Sequence, residues 1–421
     1  MAQKHTQASK TEPLPTSTDP SSFLSLALDD PSQGLGSRLA RLLHRALDEE
    51  GVPRTWPVET WWPILNALAM ARQRHEVVWP ERLDRRLEGF VRAALRFTRP
   101  DGRAIGEGEA DSAGRIKLMR TWADWLPDPA IASVVARWFP TRSRKAQAAN
   151  APPLPAFACS DRPLAILRPD WSPQGDLIAV DHRATDLPCG LTLVGGGRAW
   201  MGPHWLGADT TARPRLTAWK TGPYADFLEW TYPSERGRTT RTALLLRGRD
   251  LALIGELVEG PGESVQAFGL GPGVVTKALE GSTVVLLKAA KSGTARVVPL
   301  ALPMTPSASG SCEVVNGRLT IRFLHSGKRG WSPLLVSWGT ERARKPVRWR
   351  ALTVTRKSKV CPADVAVAWR VWWSQDDSIV IYRSLAKHES SVFLGHQTKV
   401  GTRFFVAEFD EDGDMRPLLT V

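Results

Sequence analysis

The spacing of apolar residues changes along the chain from a helical period to a strand period. Between residues 35 and 148 apolar positions recur every three or four residues, as at Leu39, Leu43 and Ala46, which is typical of amphipathic helices. Between residues 158 and 421 short apolar and β-branched runs are separated by Gly, Pro and Asp turns, which is typical of strands. The pattern predicts an α+β fold, with a small N-terminal α-helical domain followed by a large antiparallel β-sandwich domain.

The predicted domains are bounded by segments that lack either period. Residues 1–34 are rich in Ser, Thr, Pro and Asp and are predicted to form a disordered leader. The run ANAPPLPAF at residues 149–157 is predicted to be a Pro-rich linker. Many strand-like segments then follow without an intervening helix, which favours packed antiparallel sheets. The helical domain is therefore set at residues 35–148 and the β domain at residues 158–421.

Composition narrows the classes of partner and site. The chain carries 56 Lys and Arg against 43 Asp and Glu, a formal net charge of +13, and this excess is spread over both predicted domains. A positive field favours acidic partners, but no nucleic-acid module or concentrated stripe of basic and aromatic residues favours nucleic acid. No apolar run predicts a membrane span or signal peptide, so the expected location is cytoplasmic. The four Cys form no CxxC pair and no HxH or HExxH motif occurs, so no metal site is predicted; no particular cofactor is indicated.

Tryptophan is far more frequent than tyrosine, with 18 Trp against three Tyr. Trp200 and Trp205 flank the turn that carries His204, in the segment LVGGGRAWMGPHW. Indole faces can stack on sugar rings, so these three residues are candidates for binding a glycan. The alternative is that both indoles belong to the hydrophobic core, and the sequence leaves the two open.

The strand-like segment from Asp226 to Gly260 carries the densest set of polar groups. It contains Glu229, Tyr232, Arg238 and Arg241. A Tyr beside an Arg has its phenolate favoured electrostatically, as proton abstraction from a carbon acid requires. Arg also suits the binding of a substrate carboxylate. A solvated strand face with alternating Arg and Thr would give the same pattern.

Three stretches resemble the heparinase II/III-type polysaccharide lyases. They are RPDGRAIGEGEADSAGR at residues 99–115, LIAVDHRATDLPCGLTLVGGGRAWMGPHW at residues 177–205 and RTTRTALLLRGRDLALIGELVEG at residues 238–260. The resemblance implies helices followed by a β region, and it carries over four positions of the family's pattern: Asp181, His182, Tyr232 and Arg241. It implies catalysis by Tyr232, His182 and Arg241. The residue patterns described above add Trp200, Trp205, His204, Arg238 and Glu229 as candidates for substrate binding.

The resemblance supports two hypotheses of different classes. The first is a lyase that eliminates across uronate linkages of an acidic polysaccharide, with Arg neutralising the uronate carboxylate and Tyr or His removing the C5 proton. The second is a non-catalytic glycan-binding or scaffold protein. This chain departs from the family in a shorter helical part and in having no Tyr before Tyr224, and the missing helical Tyr favours the second hypothesis.

Overall fold

The fold was derived from a computed structural model that describes most of the chain. The described residues are Pro20, 35–75, 81–105, 112–141, 149–160, 162–181, 189–207, 214–289, 293–409 and 412–421. Within them the order is five helices, then a long series of strands interrupted by one short helix. The helices are α1 Leu35–Ala46, α2 Trp61–His75, α3 Glu81–Arg96, α4 Ser112–Trp125, α5 Pro129–Trp138 and α6 Thr340–Arg344, with a 3₁₀ turn at Val58–Thr60.

By its contacts the chain forms two compact units. One comprises Met1–Trp56 with Thr60–Ala94, and the other comprises Pro57–Glu59 with Leu95–Val421. The second unit thus includes α4 and α5 together with every strand. The sequence predicts a domain boundary at residues 149–157. Whether the segments on either side of it fold independently stays a prediction.

The first unit has an aromatic centre. The rings of Trp56 and Trp61 both pack on Phe90, at centroid distances of 6.1 Å and 5.9 Å. Two glycines allow a close backbone approach beside it, because a Cβ on Gly51 would lie 2.5 Å from the carbonyl carbon of Gly89. Gly51 also has φ +82°, a conformation that L residues rarely adopt.

A buried arginine ties the helical residues of the second unit to its strands. Arg168 is 1% exposed and donates to the backbone carbonyls of Leu95, Arg96 and Thr98 at 3.2, 2.8 and 2.7 Å. Its guanidinium lies 4.9 Å from the ring of Trp171. Carbonyl oxygens and an indole face thus replace the hydration that burial removes from this cation.

Four antiparallel sheets make up the strand region. Local turn chemistry sets the hairpins: Asn316 and Gly317, with φ 51° and 71°, form the two-residue turn that Asn-Gly favours. Sheet A has eight strands in the order β1 Phe157–Ala158, β2 Leu164–Leu167, β3 Leu177–Asp181, β4 Cys189–Gly195, β5 Arg198–Leu206, β10 Gly262–Leu270, β15 Arg318–His325 and β14 Gly310–Val315. Sheet B has eight in the order β11 Val275–Ala278, β12 Val285–Ala289, β13 Gly293–Pro299, β16 Arg329–Ser337, β9 Leu251–Glu259, β8 Gly237–Leu246, β7 Ala225–Ser234 and β6 Arg215–Thr221.

Two smaller sheets complete the strand region. Sheet C has five strands in the order β17 Arg348–Ala351, β20 Ala366–Trp372, β21 Ser378–Ser384, β24 Phe404–Phe409 and β25 Met415–Thr420. Sheet D has four short strands in the order β19 Lys359–Val360, β18 Thr355–Arg356, β22 Val392–Phe393 and β23 His396–Gln397.

Sheet B contributes buried residues to two hydrophobic clusters. In one, Trp230 and Ile254 of sheet B join Trp205 and Phe268 of sheet A. In the other, Phe227 of sheet B joins buried residues of sheet C such as Trp369 and Phe404. We call the first of these the A–B cluster and the second the B–C cluster. The side chains of a strand alternate between faces, so one face of sheet B packs in the A–B cluster and the other face packs in the B–C cluster.

The order of elements predicted from the sequence is confirmed. N-terminal helices precede a large antiparallel, sheet-rich part, and that part contains four sheets among the described residues. No helix in the described part of the chain is long and apolar enough to span a bilayer.

Candidate functional site

One end of the A–B cluster is polar, and Arg241 lies at its centre. Register places Trp230 opposite Arg241 and Arg241 opposite Glu256 on adjacent strands of sheet B, so the three side chains share a face. Arg241 is 1% exposed, and its Nε donates to Oε1 of Glu256 at 3.1 Å. The guanidinium lies 4.7 Å from the ring of Trp205 and 5.4 Å from that of Tyr232. This cation is therefore neutralised by a carboxylate and covered by two aromatic faces.

Tyr232 is bound into the same group. Its side chain is fully buried, at 0% exposure, and its hydroxyl donates to Oε1 of Glu256 at 2.9 Å. A hydrogen bond to a buried carboxylate is a strong one. The phenolic proton therefore has an internal acceptor, and the structure brings together Tyr232, Arg241 and Trp205 from the predicted set around Glu256, which the sequence reasoning missed.

The second carboxylate oxygen of Glu256 faces a different situation. Oε2 is buried and has no hydrogen-bond partner in the part of the chain that the structure describes. Glu256 lines a cavity of about 280 Å³, and a buried acceptor of this kind is costly unless a ligand or water satisfies it. The other described lining residues are Gly207, Ser234, Glu235, Arg236, Thr239, Val258, Glu263, Ser264 and Val265.

Gly207 lies against both the cavity and the ion pair. A Cβ at this position would lie 2.6 Å from Oε1 of Glu256 and 2.7 Å from Nη2 of Arg241. Both distances are shorter than real Cβ contacts, so a larger residue at this position would displace the ends of these two side chains. The residues that line the cavity thus include Glu256, whose Oε2 is unsatisfied, and the hydroxyl-bearing Ser264 and Thr239.

Glu229 lies on the opposite face of sheet B and away from this cluster. It is 3% exposed, and its Oε1 pairs with Nη2 of Arg383 at 2.5 Å. Its Oε2 lies 3.7 Å from Nη1 of Arg403, and Oε1 also accepts a bond from Thr242 at 3.4 Å. Both carboxylate oxygens are therefore engaged by the protein itself, and Glu229 is not among the described residues that line the Glu256 cavity.

The two candidate tryptophans are core residues in the structure. Trp200 is 2% exposed and Trp205 0% exposed, and both belong to the A–B cluster. The indole nitrogen of Trp200 donates to the carbonyl of Gly195 at 3.1 Å, and the ring of Trp205 packs on Phe268 at 5.5 Å. Neither indole face is open to a sugar ring, which corresponds to the core alternative weighed from the sequence.

The remaining predicted residues are dispersed. Arg238 is exposed and His204 half-buried. Neither lines the Glu256 cavity among the described residues. Asp181 closes β3 at the edge of the described range, and His182 lies outside the described residues. No group of three or more His, Cys, Asp or Glu that could hold a metal occurs among the described residues.

A half-buried carboxyl, that of Asp176, lies outside the Glu256 cluster. Oδ1 of Asp176 accepts hydrogen bonds from the backbone nitrogen of Gly196 at 2.8 Å and from Nε1 of Trp338 at 3.1 Å. Burial raises the pKa of Asp176 to about 6, since these two hydrogen bonds only partly offset the loss of hydration and Asp250 adds repulsion. The donors to this carboxyl are uncharged, whereas Glu229 and Glu256 are each paired with a charged arginine.

The fold is similar to that of solved heparinase structures. Heparan sulfate lyase HepC from Pedobacter heparinus matches with a TM-score of 0.57 at 12% identity, over 88% of this chain and 66% of that chain. A heparinase III crystal structure matches with a TM-score of 0.59 at 10% identity, over 87% and 67%. A heparinase III gene product matches with a TM-score of 0.61 at 10% identity, over 87% and 64%.

These matches show a shared fold, and the resemblance recognised in the sequence is confirmed at that level. The chain spans about two thirds of the length of the structures it matches. Comparison of the sequence with models of known families and with curated proteins gives no match.

Proposed function

We propose that the protein binds an acidic polysaccharide on a polysaccharide-lyase-type scaffold without elimination by Tyr232. In this proposal sheets A, B and C are the stacked layers of a β-sandwich. The A–B cluster packs between sheets A and B, and the B–C cluster packs between sheets B and C. The observation that carries the proposal is that the phenol of Tyr232 and the guanidinium of Arg241 both donate to one buried carboxylate, that of Glu256. The similarity to heparinase folds supports a glycosaminoglycan-type ligand.

The chemistry of elimination explains why the network favours binding. A lyase needs a cation free to neutralise the uronate carboxylate and a base free to take the C5 proton. Arg241 is already compensated by Glu256, and the hydroxyl of Tyr232 is buried with its proton directed at the same carboxylate. Releasing both groups would leave a buried charge uncompensated, which is strongly unfavourable.

In the binding function, Glu256 supplies an acceptor. Its free Oε2 takes a hydrogen bond from a sugar hydroxyl that enters the cavity of about 280 Å³. Arg238 and His204, the two more accessible residues of the predicted set, are candidates for contacts outside this cavity. The half-buried His204 and exposed Arg238 keep their side chains accessible to a polymer.

A lyase is the second candidate, because the solved structures of similar fold are named heparan sulfate lyase and heparinase III. In that function Tyr232, His182 and Arg241 are the catalytic residues. The two candidates make opposite predictions for the appearance of unsaturated uronate products, which absorb ultraviolet light.

The test is an assay of wild type and Tyr232→Phe on several acidic polysaccharides. We expect no ultraviolet-absorbing product from either, together with measurable glycan binding by both. Tyr232→Phe should also lower the free energy of unfolding by about 1.5–3 kcal/mol, because a hydrogen bond to a charged group is lost. Turnover by wild type that disappears in Tyr232→Phe would establish the lyase instead, and absence of binding to every polymer would refute the proposal.

A further inference from the structure

The segment from Arg342 to Lys359 is the most basic part of the chain. It contains eight basic residues and no acidic one, against a net charge of +13 for the whole protein. Among the described residues, carboxylates pair with two of these cations: Asp377 lies 2.6 Å from Arg342, and Glu389 lies 3.6 Å from Lys357. The eight residues are Arg342, Arg344, Lys345, Arg348, Arg350, Arg356, Lys357 and Lys359.

Two of these residues share one exposed face of an edge strand. β17, Arg348–Ala351, is the outermost strand of sheet C. Alternation along the strand puts Arg348 and Arg350 on one face, and both are exposed, whereas Trp349 between them is 5% exposed and belongs to the B–C cluster. The buried indole thus fixes the strand in the orientation that presents both guanidiniums outward.

The neighbouring strand β20 adds a third cation and an aromatic ring to this face. Register pairs Arg350 with Arg370 and Arg348 with Trp372, so all four side chains lie on one side of sheet C. Trp372 is half-buried. We refer to Arg348, Arg350, Arg370 and Trp372 as the basic face.

The basic face lacks compensating charge. Among the residues that the structure describes, no carboxylate forms an ion pair with Arg348, Arg350 or Arg370. Arg370 donates to Oγ of Ser378 at 3.3 Å and lies 4.5 Å over the ring of Phe409, and its Nε is buried without a hydrogen-bond partner. Like charges directly opposite one another on adjacent strands are destabilising, so an anion bound between Arg350 and Arg370 would relieve a repulsion built into the sheet.

We propose that the basic face binds the sulfate and carboxylate groups of an acidic polysaccharide. The inference rests on the proposed function and assigns it a surface distinct from the Glu256 cavity. Residues two apart on a strand are about 7 Å apart and adjacent strands are about 4.8 Å apart, so the three cations form a grid along the sheet edge. A linear polyanion can follow this grid, and the half-buried indole of Trp372 offers an apolar surface to a sugar ring.

The test compares two charge-matched double variants. Arg348→Gln with Arg350→Gln removes two cations from the basic face. Arg215→Gln with Arg318→Gln removes two exposed cations from β6 and β15, on sheets B and A. Heparin serves as a sulfated and carboxylated probe, titrated into each protein at several salt concentrations, and thermal melting verifies that each variant is folded.

We expect the basic-face variant to bind heparin about tenfold more weakly at low salt, with a shallower salt dependence, because fewer counterions are released. The control variant should stay within about twofold of wild type. Equal losses in both variants, or none in the basic-face variant, would overturn the inference while wild-type binding upholds the proposed function. No heparin binding by wild type would refute both.

A second probe separates polysaccharide from nucleic acid. A single-stranded oligonucleotide is titrated at the same salt concentrations as heparin. We expect weaker binding of the oligonucleotide, since the face offers one indole for stacking rather than a series of aromatic platforms. Tighter binding of the oligonucleotide that is lost in the basic-face variant would overturn the polysaccharide assignment.

Discussion

Glu229 and Glu256 are buried carboxylates on opposite faces of the same sheet, and they are satisfied in different ways. Both oxygens of Glu229 are engaged, Oε1 by Arg383 and Oε2 by Arg403. Only Oε1 of Glu256 is engaged, and its Oε2 is left unpartnered among the described residues beside a cavity. A carboxylate that the fold completes has a structural role, whereas one left incomplete next to open space can accept a ligand.

The comparison predicts similar stability costs for the same substitution at the two positions. Glu229→Gln should lower the free energy of unfolding by about 3–5 kcal/mol, because it leaves the buried guanidinium of Arg383 uncompensated. Glu256→Gln should also cost about 3–5 kcal/mol, because it leaves the guanidinium of Arg241, which is 1% exposed, without its carboxylate. Urea denaturation of both variants measures the two costs.

Glycan titration of the same two variants sharpens the comparison. Glu256→Gln should change the affinity for a sugar ligand, because it replaces an acceptor in the cavity by a donor. Glu229→Gln should not change it. Equal affinities of the two variants would mean that the unpartnered oxygen of Glu256 has no functional consequence.

The polar end of the A–B cluster can also be perturbed by removing the indoles that pack in this cluster. Trp205→Ala and Trp200→Ala should each lower the free energy of unfolding by about 3–5 kcal/mol, as large-to-small core substitutions do. Trp205→Ala also removes the ring over Arg241. Thermal melting and glycan titration of these variants, with the half-buried Trp219→Ala on β6 as the less destabilised control, check the assignment. A loss of glycan affinity without a drop in melting temperature would indicate that both indoles bind the glycan and do not belong to the core.

Local patterns predicted the elements better than the site. The helical and strand periods depend on residues that are close in sequence, and the structure contains the helices and strands that they predict. The same is true of turns such as Asn316-Gly317. The partner of Arg241 was missed, although Arg241 and Glu256 are symmetric about the turn between β8 and β9, at residues 247–250. Applying that hairpin register to the sequence would have paired them.

Burial and surface charge were harder to predict for different physical reasons. Whether Trp205 stacks on a sugar or on Phe268 depends on strands that are distant in sequence, so no local pattern decides it. The basic face was missed because charge was counted over whole domains, which averages out the acid-free run that contains Arg348 and Arg350. A shorter window would have found that run, but only the register of sheet C places Arg370 beside it.

Asp176 extends the comparison to a half-buried carboxyl whose hydrogen-bond donors are a backbone amide and an indole rather than an arginine. Burial raises its pKa from 3.8 to about 6, so the folded state holds the proton more tightly than the unfolded state. Its contribution to stability is therefore fully present below pH 3.8 and is lost as the pH rises through about 6. The Asp176→Asn variant removes this dependence and keeps an oxygen that can accept from Gly196 and Trp338.

We therefore expect the free energy of unfolding of Asp176→Asn, relative to wild type, to rise by about 1–2 kcal/mol between pH 4 and pH 7. The full pKa difference between the unfolded and folded states would give a larger change in the free energy of unfolding, since one pKa unit corresponds to about 1.4 kcal/mol. Solvent screens part of this effect, because Asp176 is half-buried. Asp412→Asn, at an exposed carboxyl that is not among the groups that shift the pKa of Asp176, is the matched control and should track wild type. Urea denaturation across this pH range measures both variants. A constant difference between Asp176→Asn and wild type would mean that hydrogen bonds from Gly196 and Trp338 compensate this carboxylate as fully as arginines compensate Glu229.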